Sequence, residues 1–151
     1  MGKAKTGALI VIEQKESLRD YERTGIEVDG IVTSQLLINI FEHNTPLHDG
    51  AVIVRGNRVT SATCYLPLSD NLGLSKELGT RHRAGVGVSE VTDSLTVIVS
   101  EETGKVSVAY EGQLERGFTP DDLKARLQKV LNRQDEEKPK GRHIWKGRSK
   151  T

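Results

Sequence analysis

The sequence lacks the residues that would build a disulfide framework or a membrane span. Its 151 residues include a single cysteine, Cys64, which excludes an internal disulfide and a metal site made of several cysteines. Aromatic residues make up only 4% of the chain. No apolar run reaches the roughly 18 residues that cross a bilayer. Because a strand-like run follows at residues 7–12, we expect no secretory signal in this sequence. We therefore expect one compact core. The single cysteine is compatible with a compartment where thiols stay reduced.

Neither sign of charge dominates the chain. Lys and Arg number 22 against 21 Asp and Glu. Residues 1–132 carry 15 basic and 18 acidic side chains, a net charge of −3, whereas residues 133–151 carry 7 and 3, a net charge of +4. General binding of nucleic acid requires a broad basic face, which a domain with a net negative charge does not supply. We therefore expect no nucleic-acid partner.

Several common motifs of nucleotide and hydrolase sites are also missing. The chain contains no Walker P-loop, no Gly-x-Gly-x-x-Gly and no Gly-x-Ser-x-Gly. Their absence counts against P-loop kinases, dinucleotide-binding enzymes and serine hydrolases. The paired Asp-x-Asp carboxylates that we expect of a generic nucleotidyltransferase are missing as well. Any chemistry of this chain must therefore come from other residues.

The spacing of apolar residues predicts alternating strands and helices. Strands are expected at residues 7–13, 26–28, 51–55, 58–65, 95–99 and 106–110, with turns at Gly56-Asn57 and Thr103-Gly104. Helical segments are expected at 16–23, from Thr33 or Ser34 to before Asn44 and Pro46, and from Thr80 to about Val91, with a polar loop or short helix at 67–78. This order predicts an α/β fold with a central mixed β-sheet and helices on both faces.

The last helix carries its own start signals. Thr119 suits the N-cap, Pro120 suits the first helical position, and the two acids that follow complement the helix dipole. The apolar pattern stops at Asp135, and charged residues dominate the rest of the chain. We therefore expect a folded domain over residues 1–134 and a charged, disordered tail over residues 135–151.

Asp49-Gly50-Ala51 is the first candidate functional motif. It places a carboxylate against a glycine turn, directly before the apolar run of residues 52–54. Asp and Gly both favour turns, so a purely structural loop is one interpretation. The alternative is a ligand site, because loops at strand ends bind ligands in α/β folds and small residues let a nucleotide approach the backbone.

Gly79 followed by Thr80-Arg81-His82-Arg83 is the second candidate motif. Two arginines and a histidine lie at the predicted start of a helix, where cations oppose the macrodipole by about 0.3–1 kcal/mol each. Free backbone N–H groups at the same end are donors for phosphate. The motif is either a solvated helix start or, as we favour, a polyphosphate site. Gly85 and Gly87 weaken this helix by up to ~1 kcal/mol each, which predicts close packing.

Three further residues have weaker signals. His48 and Glu102 could ligate the divalent cation that accompanies a polyphosphate, although Glu101 and Glu102 also suit a polar turn. Cys64 lies in a β-like run, and we expect it to be a small buried hydrophobe rather than a nucleophile.

The two motifs together resemble the diadenylate cyclase (DAC) domain family, whose members make cyclic di-AMP from two ATP molecules. The resemblance covers residues 5–132 and includes the segments 5–13, 47–53, 64–69, 78–84 and 99–104. It is strongest to the membrane-linked branch of Gram-positive bacteria, in which transmembrane helices precede this domain. We expect this chain to be a truncated form, a cytoplasmic domain that is attached to the cell membrane in the full-length protein.

The resemblance implies a role for each matching residue. The Asp-Gly-Ala motif corresponds to Asp49, Gly50 and Ala51, and the Arg-His-Arg motif to Arg81, His82 and Arg83, with Gly79 and Thr80 beside it. The adenine pocket corresponds to Tyr65 and Leu66. Ser100 and Glu102 match a Ser-x-Glu near the phosphates and metal, and His48 matches a histidine near the metal. Metal ligands are thus expected at His48, Asp49 and Glu102, for Mn²⁺, Mg²⁺ or Co²⁺.

The resemblance also implies a mechanism and partners. Each ATP binds to one subunit, and two subunits face each other as a homodimer so that each 3′-hydroxyl attacks the other nucleotide's α-phosphate. Asp49 activates the hydroxyl, directly or through the metal, while Arg81, His82 and Arg83 hold phosphates and stabilise charge on the leaving group. Regulatory protein partners are expected, and contact with the membrane only through the missing helices. The alternative is a module that senses ATP or a cyclic dinucleotide without turning it over.

Overall fold

The structure is a computed structural model that describes residues 7–42, 50–71, 73–74 and 78–137, the last seven of these by backbone alone. The chain divides into two units, Met1–Phe118 and Thr119–Thr151. No helix in the described ranges combines the length and the apolar character that crossing a membrane requires.

Among its described residues, the first unit contains seven strands and three helices. The strands are β1 (Ala8–Ile12), β2 (Ile26–Ile31), β3 (Ala51–Arg55), β4 (Arg58–Cys64), β5 (Leu95–Val99), β6 (Val106–Tyr110) and β7 (Gln113–Phe118). The helices are α1 (Arg19–Glu22), α2 (Ser34–Ile40) and α3 (Thr80–Val91). All the strands and helices predicted in this unit are present, and β2 runs three residues further than predicted.

The seven strands form one mixed sheet in the order β2-β4-β3-β1-β5-β6-β7. Only β1 and β3 pair in parallel, with Ile10 opposite Val52, and the other pairs are antiparallel. The parallel pair is possible because a long connection, which contains α1, β2 and α2, separates β1 from β3. The predicted α/β fold with a central mixed sheet is therefore confirmed.

Successive residues of the central strands enter two different cores. Leu9 and Val11 of β1 belong to one apolar cluster, which includes Leu18 beside α1 and Val86 of α3. Ala8 belongs to the other cluster, which Ile40 of α2 and Phe41 complete. Since alternate side chains of a strand point to opposite faces, α1 and α3 cover one face of the sheet and α2 covers the other. This arrangement confirms the prediction of helices on both faces.

Local signals fixed the helix starts and the first hairpin. Thr33 caps α2, because its side-chain oxygen accepts a hydrogen bond from the Leu36 N–H at 3.0 Å. Gly56, with φ of +61°, and Asn57 join β3 to β4 as predicted. Asn44 and Pro46, predicted to end α2, lie outside the described residues.

The sequence interpretation missed β7, the edge strand after β6. Glu111 and Gly112 both have positive φ and form a two-residue turn, whose Gly112 N–H donates to Ser89 Oγ of α3 at 3.1 Å. Glu-Gly is a weaker hairpin signal than Asn-Gly or Asp-Gly. Most side chains of β7 are exposed, so the strand also lacks the apolar alternation of a half-buried strand.

The glycines inside α3 lie where a side chain would collide with neighbouring elements. A Cβ on Gly87 would lie 1.9 Å from the carbonyl oxygen of Pro67, and one on Gly85 would lie 2.8 Å from Cδ1 of Ile98. The helix therefore packs directly on the loop after β4 and on β5. This finding confirms the close packing that the two glycines predicted.

The described part of the second unit forms the helix α4 (Pro120–Glu137). Thr119 and Asp122 cap it reciprocally, since the Asp122 N–H donates to Thr119 Oγ1 at 3.1 Å and the Thr119 N–H donates to Asp122 Oδ2 at 3.2 Å. The helix includes residues 135–137, which were predicted to belong to the tail. Glutamate is a good helix former, so the helix continues beyond its last apolar residue. Residues 138–151 lie outside the described residues, and the domain boundary at 134 remains a prediction.

Replacing Thr96 with valine is expected to stabilise the protein by about 1–2 kcal/mol. Thr96 is fully buried in β5, and its hydroxyl has no hydrogen-bond partner in the described part of the chain. Valine has nearly the same shape and removes the unsatisfied group. Urea unfolding followed by circular dichroism measures the change.

Thr60→Val is the matched control for this substitution. The Thr60 hydroxyl donates to Glu22 Oε2 at 2.9 Å, so its loss should destabilise the protein by about 1 kcal/mol. A destabilising Thr96→Val would mean that the Thr96 hydroxyl has a partner in the folded protein.

Candidate functional site

A cleft of about 1080 Å³ opens in the first unit. Its walls come from the start of α3, the segment after β4, the turn between β5 and β6, and β7. Nine of the predicted site residues line it: Gly50, Tyr65, Leu66, Gly79, Thr80, Arg81, His82, Ser100 and Glu102. The structure thus brings together residues that lie far apart in the sequence, from Leu9 to Gly117.

The remaining predicted site residues do not line the described part of the cleft. Ala51 is fully buried as the first residue of β3. Arg83 lies on α3 beside the cleft residues but is not part of the wall. His48 and Asp49 lie outside the described residues, so their roles remain predictions.

Gly50 has a conformation that only glycine adopts easily. Its φ is +82°, and a Cβ at this position would lie 2.8 Å from the carbonyl carbon of Thr63. Thr63 itself has a φ of +55°, which is unusual for a β-branched residue, and it lies where the pairing of β3 with β4 is irregular. The glycine of the Asp-Gly-Ala motif therefore lets β3 approach β4 closely at the cleft wall.

Arg81 is held against the sheet by two contacts. Its guanidinium Nη1 lies 3.4 Å from Oε1 of Glu101, in the turn after β5. It also packs over Gly7, where a Cβ would lie only 2.6 Å from the guanidinium carbon. Glu101 therefore partly neutralises the charge of Arg81 in the free protein. The sequence motif, which contains only cations at the start of the helix, did not predict this ion pair.

His82 is buried and its imidazole is mainly neutral at pH 7. Only 8% of the residue is exposed, and the pKa of its ring is lowered below the usual 6.5 by burial and then by the charges of Arg116 and Arg81. Positive charge at this end of the cleft therefore comes from the arginines, whereas His82 offers a neutral hydrogen-bonding ring. A bound anion would favour its protonation.

Hydrogen bonds connect the segment after β4 to α1 and to α3. The Tyr65 N–H donates to Thr24 Oγ1 at 2.8 Å, and Thr24 Oγ1 donates to the carbonyl oxygen of Tyr21 at 2.6 Å. On the other side, the Ser69 N–H donates to the carbonyl oxygen of Arg83 at 2.9 Å. These hydrogen bonds hold the backbone, while Tyr65 as a residue remains 72% exposed at the cleft.

An ion-pair network connects α1 to β3 and so helps to fix α1, which in turn contacts the segment after β4 through Thr24. Arg55 of β3 bonds Glu13 through Nε at 2.7 Å and contacts Glu22 of α1 through Nη2. Burial acts to raise the pKa of Glu13, but hydrogen bonds from Arg55 and from the Leu18 N–H outweigh it and hold the pKa below its usual value. Glu13 therefore stays ionised and paired with Arg55 at neutral pH.

The turn after β5 presents two carboxylates to the cleft. Ser100 Oγ accepts hydrogen bonds from the N–H groups of Glu102 at 3.2 Å and Thr103 at 3.3 Å, which shapes the turn. Glu102 supplies an exposed oxygen donor of the type that Mg²⁺ and Mn²⁺ prefer. The described ranges contain no cluster of three His, Cys, Asp or Glu residues. The donor type at Glu102 thus fits a divalent cation, while the other two predicted ligands are His48 and Asp49.

Cys64 borders the cleft but has the character of a small buried hydrophobe, as predicted. It is 1% exposed, and burial, with a contribution from Glu22, raises the pKa of its thiol to about 11. The thiol is therefore protonated at neutral pH and is not an activated nucleophile.

Two basic residues of the cleft were missed from the sequence. Lys105 follows the turn after β5, and Arg116 lies on β7. Neither belongs to a motif, and Arg116 could be found only by recognising β7 as a strand that pairs with β6.

The sequence matches known proteins over nearly its whole length. Residues 1–114 match the family model described as DAC, DisA bacterial checkpoint controller nucleotide-binding. The chain is 53% identical over 148 residues to the cyclic di-AMP synthase CdaA of Bacillus subtilis, covering 98% of this chain and 54% of that protein. It is 52% identical over 147 residues to a diadenylate cyclase of Listeria monocytogenes, covering 97% of this chain and 54% of the relative. The chain therefore spans about half the length of these curated relatives.

Solved structures agree with the sequence matches. A crystal structure of a DacA double mutant from Staphylococcus aureus superimposes with a TM-score of 0.84 at 50% identity, covering 86% of this chain and 87% of that one. A hypothetical membrane spanning protein from Bacillus cereus gives a TM-score of 0.75 at 45% identity, covering 78% and 58%. Because the family model covers most of the chain and these relatives share half of its residues, the chain belongs to the DAC family of bacterial nucleotide-binding domains.

Proposed function

We propose that the protein is a diadenylate cyclase, which condenses two ATP molecules into cyclic di-AMP and two pyrophosphates. The observation that carries the proposal is the single cleft at which Gly50, Tyr65, Arg81 and Glu102 meet. The printed names of its relatives, cyclic di-AMP synthase and diadenylate cyclase, support the same activity.

The cleft has the size and the two kinds of wall that a nucleoside triphosphate needs. Its volume of about 1080 Å³ lies at the upper end of the range for small-molecule sites. Tyr65 and Leu66 offer an aromatic ring and an aliphatic side chain for adenine. The start of α3 offers backbone N–H groups and Arg81 for phosphates.

The reaction assigns a task to each end of the cleft. The 3′-oxygen of one ATP forms a bond to the α-phosphorus of the other, and the bond from that phosphorus to the bridging oxygen breaks, so that pyrophosphate leaves with the electron pair. Asp49 accepts the hydroxyl proton, and Arg81 counters the charge of the phosphates. Arg83 is not part of the described cleft wall and adds positive charge at the same helix start. His82 donates a ring hydrogen bond. Gly50 and Ala51 keep the approach to Asp49 free of bulky side chains.

Diadenylate cyclases generally require a divalent metal ion. We propose that His48, Asp49 and Glu102 hold it in this protein, with Ser100 ordering the turn that carries Glu102. Such an ion supplies charge neutralisation at the phosphates. Mn²⁺, Mg²⁺ and Co²⁺ all suit this mixture of oxygen and imidazole ligands.

Two subunits must face each other because the product contains two identical linkages. One subunit binds one ATP and cannot close the ring alone, so we propose a homodimer as the catalytic form. We also propose that the full-length protein is attached to the membrane and meets regulatory proteins. The membrane proposal is supported by the Bacillus cereus neighbour, which is described as membrane spanning.

A direct assay tests the activity. The purified chain is incubated with ATP and Mn²⁺ or Mg²⁺, and the products are identified by mass spectrometry. Cyclic di-AMP and pyrophosphate in a 1:2 ratio are the expected result. Binding of ATP without product, across several protein concentrations and metals, would favour the sensing module instead.

Mixing subunits tests the dimeric mechanism. Specific activity should rise with protein concentration, and an excess of Asp49→Asn subunits should lower the cyclic product per wild-type subunit. Each mixed dimer lacks one of the two attacks, so a linear intermediate is expected to accumulate. Product yield by mass spectrometry and association by analytical ultracentrifugation are measured together. Constant activity per wild-type subunit, at concentrations where the two forms associate, would show that each subunit works alone.

A further inference from the structure

Arg116 is a cation of the cleft that neither candidate motif contains. It lies on β7 and pairs in register with Ser107 of β6. Directly opposite residues of antiparallel strands project from the same face of a sheet, and both residues line the cleft. The sheet register therefore directs the guanidinium to the face that carries α3.

The surroundings of Arg116 suit an anion. Its charge helps to lower the pKa of His82, so the guanidinium lies within electrostatic reach of the start of α3. Next to it, Gly117 leaves open space, since a Cβ there would meet nothing within 4 Å. A flexible or charged ligand could occupy this space without displacing protein atoms.

Arg116 differs from Arg81 because no carboxylate in the described part of the chain neutralises its charge. Arg81 pairs with Glu101, whereas no carboxylate in the described part of the chain pairs with Arg116. Lys105 also lines the cleft, but it follows a turn and presents a single ammonium rather than a planar fork of donors. Arg116 is therefore the cleft cation best suited to bind two phosphate oxygens at once.

We infer that Arg116 is a substrate-binding residue that contacts the β- and γ-phosphates of ATP and stabilises pyrophosphate as it leaves. This inference rests on the proposed function. Adenine and ribose are expected towards Tyr65 and Gly50, so the end of the cleft formed by α3 and β7 remains for the terminal phosphates. When the bond from the α-phosphorus to the bridging oxygen breaks, its electron pair moves onto this leaving group, where a guanidinium is most useful.

Calorimetric titration with two ligands tests the inference. The α,β-methylene analogue of ATP carries all three phosphates but cannot react, whereas AMP lacks the two terminal ones. Arg116→Gln should weaken binding of the analogue by about 10- to 100-fold, the range for losing a charged hydrogen-bonding partner. Binding of AMP should stay within about twofold of wild type. Arg116→Lys should keep part of the affinity because it keeps the charge.

Arg58→Gln is the matched control, because Arg58 lies at the start of β4, away from the cleft wall, and pairs with Asp29. It should bind both ligands as the wild type does. Unchanged affinity of Arg116→Gln for the analogue would overturn the inference, and so would an equal loss of both ligands, since that would make Arg116 a structural residue. A wild-type protein that binds neither ligand would instead refute the proposed function.

Discussion

Asp49→Asn is expected to reduce cyclic di-AMP synthesis by about 10²–10⁴-fold, the usual cost of losing a general base or a metal-bound carboxylate. Affinity for ATP should change by no more than a few fold. The physical reason is that we propose two separate roles. The Asp49 carboxylate is proposed to act on the attacking hydroxyl, and Tyr65, Leu66 and the start of α3 are proposed to contact the nucleotide. Asparagine has nearly the same shape but cannot accept the proton.

Initial rates from mass spectrometry and affinity from calorimetry give the two quantities. Asp20→Asn is the matched control, because its exposed carboxylate pairs with Arg23 on the surface of α1 and with no other residue that the structure describes. It should retain wild-type turnover. A fully active Asp49→Asn protein would exclude the assigned role. A protein that loses ATP binding as steeply as turnover would make Asp49 a binding residue.

Gly87→Ala is expected to destabilise the protein by about 2–4 kcal/mol, at or above the usual cost of overpacking. The new Cβ would lie 1.9 Å from the carbonyl oxygen of Pro67 and 2.9 Å from the backbone nitrogen of Ser69. Neither is the end of a flexible side chain, so α3 or the loop after β4 must move. Alanine gains about 1 kcal/mol in helix propensity, which offsets only part of this cost.

Urea unfolding measures the stability of this variant. Gly79→Ala is the control, since a Cβ at Gly79 meets nothing within 4 Å and its φ is −90°. That variant should lose at most about 1 kcal/mol, the effect of a poorer N-cap. If Gly87→Ala is as stable as the wild type, the loop after β4 can shift freely, and the close packing does not constrain the cleft wall.

Most of the fold could be predicted because the deciding signals are local. The capping threonine of α2, the Gly56-Asn57 turn and the bounds of α3 depend on residues within a few positions of each other. The polar edge strand β7 could not be predicted in this way. Backbone hydrogen bonds to β6 stabilise this strand. Such bonds leave no pattern in the sequence when most of the strand's side chains are exposed.

The chain's own residues determined the family and the main site candidates. The Asp-Gly-Ala and Arg-His-Arg motifs combine a carboxylate, small residues and cations, and these residue types and spacings are legible without a structure. The glycine at position 50 also indicates a tight turn. The structure gives it a φ of +82°, which only glycine adopts without strain.

Only the tertiary structure decided how the site residues act together. It set Glu101 beside Arg81, buried His82 so that its ring is neutral at pH 7, and brought Arg116 to the same cleft. Such contacts depend on strand register and helix packing between segments that are far apart in the sequence. A change of one residue in register would turn Arg116 to the other face of the sheet, and no local pattern encodes that choice.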